Sequence, residues 1–133
     1  MSKWNNKQIL ITGAGSGIGQ ALARLFAKEG ANLILTDVNE ENLNITTNEL
    51  IHAITLSQVA DASNKADWQT LAANIKQEVG YLDVLINNAG MTSLGYFDET
   101  SEALFNKVMD VNFNGVVTGC RVMQPLLEKS ERG

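Results

Sequence analysis

Residues Ile11-Thr12-Gly13-Ala14-Gly15-Ser16-Gly17-Ile18-Gly19 place four glycines within seven positions. The β-rich run Gln8-Ile9-Leu10-Ile11-Thr12 precedes them, and a helical period begins at Ile18. The chemistry open to such a junction is anion binding. Gly13 makes the tight turn, Gly15 and Gly17 present no side chain to block a pyrophosphate, and Gly19 lets the helix lie close to the sheet. Free N–H groups of the first helical turn, together with the helix dipole, favour phosphate. Thr12, Gly13, Gly15, Ser16, Gly17, Ile18 and Gly19 are therefore candidate dinucleotide contacts. A plain glycine-rich turn is the competing reading, because Gly-x-Gly-x-x-Gly alone arises by chance. Its place between a strand and a helix argues for the phosphate site.

Asp37 stands twenty residues beyond Gly17, at the end of a second apolar run. An acid at this spacing accepts hydrogen bonds from the adenosine ribose hydroxyls. Its charge would repel a 2′-phosphate, and neither Ser16 nor Val38 supplies a cation to offset it. NAD(H) is thus expected over NADP(H). A solvated loop acid that caps the next helix is the alternative.

The elements that must hold these groups follow from periodicity. Gln8–Thr12 and Asn32–Asp37 read as buried parallel strands. Between them a helix carries Ile18, Leu22, Leu25, Phe26 and the stem of Glu29 on one face and closes at Gly30. Asn39 caps a helix to about Leu50, with Glu40 and Glu41 suited to its positive end. Ala53–Ala60 is a weaker strand. A helix from about Lys65 bears Trp68, Leu71, Ala72, Ile75 and Val79 and stops at Gly80. Leu82–Asn87 is a fourth strand and Asn88–Thr100 a polar loop. A long helix from Ser101 to Lys129 presents Leu104, Val108, Val111, Gly115, Gly119, Val122 and Leu126, with Pro125 kinking it or ending it early. Strands alternating with helices predict one α/β domain over residues 1–133, with a parallel, doubly wound sheet.

Composition removes other classes. Of 133 residues, 44% are hydrophobic and 19% charged, enough for a core and unlike a disordered chain. The net charge of −5 and the lack of a basic stripe argue against nucleic acid. No apolar run approaches the ~20 residues of a membrane span, and Met1 to Lys7 has no signal-peptide character. A cytoplasmic protein is expected. Cys120 has no disulfide partner and reads as a small buried hydrophobe. His52, the sole histidine, reads as a helix-end residue, and no metal site is expected.

Three segments together resemble a known family. Thr12-Gly13-x-x-x-Gly17-x-Gly19, Asn87-Asn88-Ala89-Gly90 and Val111-Asn112-Phe113-x-Gly115 are similar, in order and placement, to the signatures of the short-chain dehydrogenases/reductases. The resemblance spans nearly the whole chain and the first half of a typical member. It implies a Rossmann-like sheet of order 3-2-1-4 and an NAD-dependent oxidoreductase that moves a hydride between NAD(H) and an alcohol or carbonyl substrate. It also implies roles: Asp61 reaches the adenine amino group with Ala62 beside it, Asn88, Ala89 and Gly90 lie along the adenosine ribose, and Asn112 helps hold a water of the proton relay. Each also has a plainer reading. Asp61 fits a helix-capping turn, Asn87 and Asn88 fit turn formers, and Asn112 fits a satisfied core polar group.

The family's catalytic serine and Tyr-x-x-x-Lys have no counterpart here. Tyr81 is followed four residues later by Leu85, and Tyr96 by Thr100. A tyrosine needs a nearby cation to act near neutrality, its free pKa being roughly 10. These 133 residues are therefore expected to hold the adenosine half of a cofactor without turning over substrate alone. A non-catalytic NAD(H)-binding or interaction module is the alternative. A flavodoxin-like or response-regulator-like domain shares the βα order but needs no such glycine loop. The order 3-2-1-4 would leave the fourth strand as an apolar edge. Pairing into a homo-oligomer through that edge, or through the Ser101–Lys129 helix, is expected.

Overall fold

A computed structural model describes every residue from Met1 to Gly133. Four parallel strands, β1 (Gln8–Thr12), β2 (Asn32–Asp37), β3 (Ile54–Val59) and β4 (Val84–Ile86), form one sheet in the order β3-β2-β1-β4. Helices α1 (Gly17–Lys28) and α2 (Glu40–Glu49) join the first three strands, and α3 (Lys65–Glu78) joins β3 to β4. Beyond β4, α4 (Glu102–Met109) runs through a π-helical turn (Asp110–Asn114) into α5 (Gly115–Leu127). This is the doubly wound parallel arrangement read from the sequence.

Period-two alternation divides the core between the two faces of the sheet. Ile9, Ile11, Leu33 and Leu35 meet Ala23, Phe26 and Ala27 of α1 and Leu43 of α2. Leu10 and Ile34 point the other way, to Trp68, Leu71 and Ile75 of α3 and Met123 and Leu126 of α5. Ile9, Leu10 and Ile11 are fully buried, each side chain contributing roughly 1.5–3 kcal/mol relative to exposure. With both faces covered, the central strands read as continuous apolar runs.

Several expectations needed correction. The buried face of α1 is Gly19, Ala23, Phe26 and Ala27, whereas Ile18 and Leu25 are exposed. Small residues let α1 approach the sheet, so the larger aliphatics stay outside. The third strand begins at Ile54 because Ile51–Ala53 forms a 3-10 turn containing His52. The fourth strand is three residues rather than six. The Leu82 N–H donates to Leu126 O (3.1 Å), outside the ladder, and Asn88 N–H turns back to Ile86 O (3.0 Å). Cys120 is exposed, not a core hydrophobe.

The last helix is continuous but not regular. Ser101 caps it by accepting the Leu104 N–H (3.1 Å), and it ends at Leu127, two residues past Pro125. The wide turn absorbs one extra residue, equivalent to roughly 100° of rotation. That rotation takes Leu104 off the face shared with Gly115, Gly119 and Leu126, and α4 buries no residue. Met123 replaces Val122 as the buried side chain of α5. No helix is long and apolar enough to cross a membrane.

Candidate functional site

The site forms at the C-terminal ends of β1, β2 and β4, where the strand order reverses. Thr12 closes β1, and its Oγ1 accepts the N–H groups of Asn88 (3.1 Å) and Ala89 (2.9 Å). The Asn88 side-chain amide donates to Thr12 O (3.1 Å) and Gly13 O (3.3 Å). The loop after β4 is thereby stitched to the loop after β1. Asn88 is more than a turn former, since its side chain spans two loops.

The chain then reverses through Gly13 (φ +67°) and enters α1 at Gly17 (φ +52°), conformations that L side chains rarely adopt. At Gly19 a Cβ would collide with Gly13 O and stand 2.6 Å from the Asn88 amide nitrogen. Gly15 does a different job from the one expected. It does not line the cleft; its position is hemmed by Asn42 and by Asp37 Oδ2, each 2.9 Å from where a Cβ would stand. Its N–H donates to that same oxygen (2.9 Å), while Asp37 Oδ1 accepts the Asn39 N–H (2.9 Å). The carboxylate is held at the rim by two backbone donors. The helix cap that follows is Asn39, not Asp37: its side chain accepts the Asn42 N–H.

Helix α1 differs from its neighbours at its start. Asn39, Asn64 and Ser101 each cap a helix with a side-chain oxygen, and each of those helices has an acid in its first turn. Ser16 makes no capping bond, and the first turn of α1 holds no acid. Its first turn therefore borders the cleft with no side-chain cap and no acid of its own at its positive end.

The cleft has a volume of about 410 Å³. The structure brings Thr12, Gly13, Ser16, Gly17, Ile18, Asp37, Asp61, Ala62, Asn88, Ala89 and Gly90 to its wall; of the residues singled out as dinucleotide contacts, Gly15 and Gly19 lie behind it. Thr36, Val38, Ala60, Trp68, Leu71, Met91, Lys107 and Val111 complete the lining. Apart from Val111, which opens the third signature, these residues belong to no motif. Lys107 in particular carries no local signal, and reaches the cleft from the helix that precedes the wide turn.

Asp61 Oδ1 accepts the N–H (2.8 Å) and hydroxyl (2.6 Å) of Ser63, and Oδ2 accepts Lys107 Nζ (3.1 Å). Partial burial pushes this carboxyl up, but the two Ser63 bonds and Lys107 outweigh it and hold it below the usual carboxylate range. The local turn foreseen for Asp61 is present beside its place in the cleft; the cap of α3 itself is Asn64.

Asn112 lies in the π-helical turn and borders a second, open depression with Asn87, Ala89, Gly90, Met91, Thr92 and Val116. It is exposed, so the core reading fails. Its Oδ1 accepts the Met91 N–H (2.8 Å) and its Nδ2 donates to Met91 O (2.7 Å). Neighbouring helix-phase positions serve packing: a Cβ at Gly115 would strike Ala62 O, and one at Gly119 would stand 2.6 Å from the Trp68 ring.

A sequence profile of the family described as short chain dehydrogenase matches residues 7–133. The chain belongs to the short-chain dehydrogenase family. Within that family it is 38% identical over 136 residues to oxidoreductase UcpA of Salmonella typhimurium, covering 100% of this chain and 51% of that protein. It is 37% identical over 128 residues to the Mycobacterium tuberculosis protein named "Probable oxidoreductase EphD", covering 94% of this chain and 22% of that one. A short-chain dehydrogenase/reductase of Burkholderia phymatum, solved in complex with NAD, matches with a TM-score of 0.88 at 37% identity, over 96% of this chain and 46% of that one. The chain thus spans about half the length, or less, of these three proteins.

Proposed function

We propose that the cleft binds NAD(H), and that the chain serves a short-chain dehydrogenase exchanging a hydride between NAD(H) and an alcohol or carbonyl substrate. The observation that carries this is the uncapped start of α1 opposite a fixed carboxylate. Thr12, Gly13, Ser16, Gly17 and Ile18 form the pyrophosphate cradle, with the first-turn N–H groups of α1 as donors. Asp37, steadied by Gly15 and Asn39, keeps acceptor capacity for the adenosine ribose hydroxyls. Asn88, Ala89 and Gly90 form the opposite wall, and Asp61 with Ala62 closes the base end. Asn112 stands beyond Gly90, where it steadies Met91 for the proton-transfer end of the site. When bound, NAD(H) supplies the hydride acceptor or donor. The complex recorded for the Burkholderia phymatum relative supports the same ligand here.

The cofactor is NAD(H) in preference to NADP(H). The one cation lining the cleft, Lys107, is engaged with Asp61 and Ser63, so nothing offsets Asp37 against a 2′-phosphate. Titration by calorimetry should give NADH at least about tenfold tighter than NADPH, the scale of one charge-assisted hydrogen bond. Equal or tighter NADPH binding would refute the preference. Neither Tyr81 nor Tyr96 lines the cleft, so these 133 residues bind the cofactor but do not turn over a carbonyl substrate alone. NADH oxidation above background with a panel of aldehydes and ketones would overturn that.

The chain also associates, with copies of itself as the first candidate. Its surface is 7866 Å², against about 6,800 Å² for a compact monomer of this mass. Phe105, Met109, Phe113 and Val117 are exposed along α4 and α5, and β4 is an open edge. A monomer in sedimentation at micromolar concentration would refute association. The single exposed thiol of Cys120 accords with a cytoplasmic setting.

A further inference from the structure

Lys107 belongs to none of the family signatures, yet it is the only cation at the cleft. Its ammonium lies 3.1 Å from Asp61 Oδ2 and 2.9 Å from Ser63 Oγ. The backbone around Asp61 is fixed independently. The Asp61 N–H donates to Asp67 Oδ2 (2.8 Å), and Ala62 O accepts Trp68 Nε1 (2.9 Å). Gly115 packs directly on Ala62 O. What remains free is rotation of the Asp61 carboxylate, and two partners stop it: Ser63 holds Oδ1 from its own loop, and Lys107 holds Oδ2 from across the cleft. Three of the roughly four acceptor positions of a carboxylate are then used. One is left, with its direction set.

From this geometry we infer that Lys107 is a positioning residue that aims the last acceptor of Asp61 at a purine presenting a hydrogen-bond donor. The inference rests on the reading that the cleft holds NAD(H) with its base beside Asp61. Ionised carboxylate accepts only. It rewards the 6-amino group of adenine and opposes the 6-oxo group of hypoxanthine. Without Lys107 the carboxylate rotates about its Ser63 contacts and turns to water, so discrimination falls more than affinity. A merely structural lysine would change affinity for both bases alike.

The test compares NADH with reduced nicotinamide hypoxanthine dinucleotide by calorimetry on the full chain. The variants are Lys107→Gln, Lys107→Arg and, as a charge control outside the site, Lys76→Gln at an exposed position of α3. Wild type should favour NADH by about tenfold. Lys107→Gln should reduce that ratio to about threefold or less, and Lys107→Arg, which keeps a cationic donor, should restore most of it. Lys76→Gln should keep the wild-type ratio. Lys107 is exposed and on a helix that buries no side chain, so Lys107→Gln should melt with the wild type. An unchanged ratio in Lys107→Gln overturns the inference while leaving the cofactor reading intact. Wild type that binds NADH without discrimination overturns it too. Wild type that binds neither dinucleotide removes the cofactor reading itself, and this inference with it.

Discussion

Replacing Gly19 with alanine sets two effects against each other. Gly19 is helical, so alanine should stabilise α1 by about 1 kcal/mol through propensity. Packing says otherwise. The new Cβ would overlap Gly13 O and lie 2.8 Å from Gly13 C and 2.6 Å from Asn88 Nδ2. Neither neighbour yields easily: Gly13 O accepts the Asn88 amide, and the Ala14 N–H is bonded to Thr36 O at 2.9 Å. Helix α1 must withdraw by roughly 1 Å to reach normal contact, lifting Ala23, Phe26 and Ala27 from β1 and β2. Overpacking of this kind costs about 1–3 kcal/mol, and backbone against backbone belongs at the upper end. The net is about 2 kcal/mol of lost stability. With a urea m-value of about 1.5 kcal/mol/M, the midpoint falls by roughly 1.3 M. Urea unfolding followed by tryptophan fluorescence measures this directly, and NADH affinity should fall in parallel. A midpoint at or above the wild-type value would mean that α1 is not seated on the Gly13 carbonyl, and the account of the loop would be wrong.

Asp83 supplies a pH dependence. Burial pushes its carboxyl up, but the Ser130 hydroxyl, the Gln8 N–H and Lys7 together hold it below the usual range. A folded-state value below the unfolded one gives stability that is present above the unfolded value, about 3.9, and lost as pH falls through the folded value. Asp83→Asn should cost about 1–3 kcal/mol at pH 7 and flatten the acid limb of a urea-midpoint series. An unaltered limb would assign the acid loss elsewhere. Asn112→Ala should remove both bonds to the Met91 backbone. Because the site is exposed, global stability should drop by under about 1 kcal/mol, while exchange of the Met91 amide accelerates about tenfold. Unchanged exchange at Met91 would show that Asn112 does not hold this loop.

Much of the architecture was legible because it is written in short-range terms. Gln8–Thr12 and Asn32–Asp37 are bounded by glycine, asparagine and polar turns, and both strands fall where those signals put them. Glycine spacing at a strand-to-helix junction identified the cleft wall. Long-range groups were not legible. Lys107 reaches Asp61 across 46 positions, and no local pattern encodes that meeting. The face of α1 was misjudged because hydrophobicity pointed to Ile18 and Leu25, while close approach selected Gly19 and Ala23. Leu104 was misassigned through a regular 3.6-residue period, which the π-helical turn breaks. Leu82 looks like a strand residue, but its N–H goes to Leu126 O of α5.

The wide turn also determines which edits of the chain this helix tolerates. Lys107 and Gly115 are eight residues apart, which in a regular helix leaves them roughly 80° out of alignment. Absorbing one residue reduces that to about 20°, and both then dock on the Asp61–Ala62–Ser63 segment. Removing one residue from Asp110–Asn114 therefore lets the turn relax to ordinary α-helix with both contacts kept. Adding one residue to a turn that already carries its surplus swings Lys107 away from Asp61 by roughly 100°. In this stretch a shorter chain preserves the base end of the cleft and a longer one dismantles it.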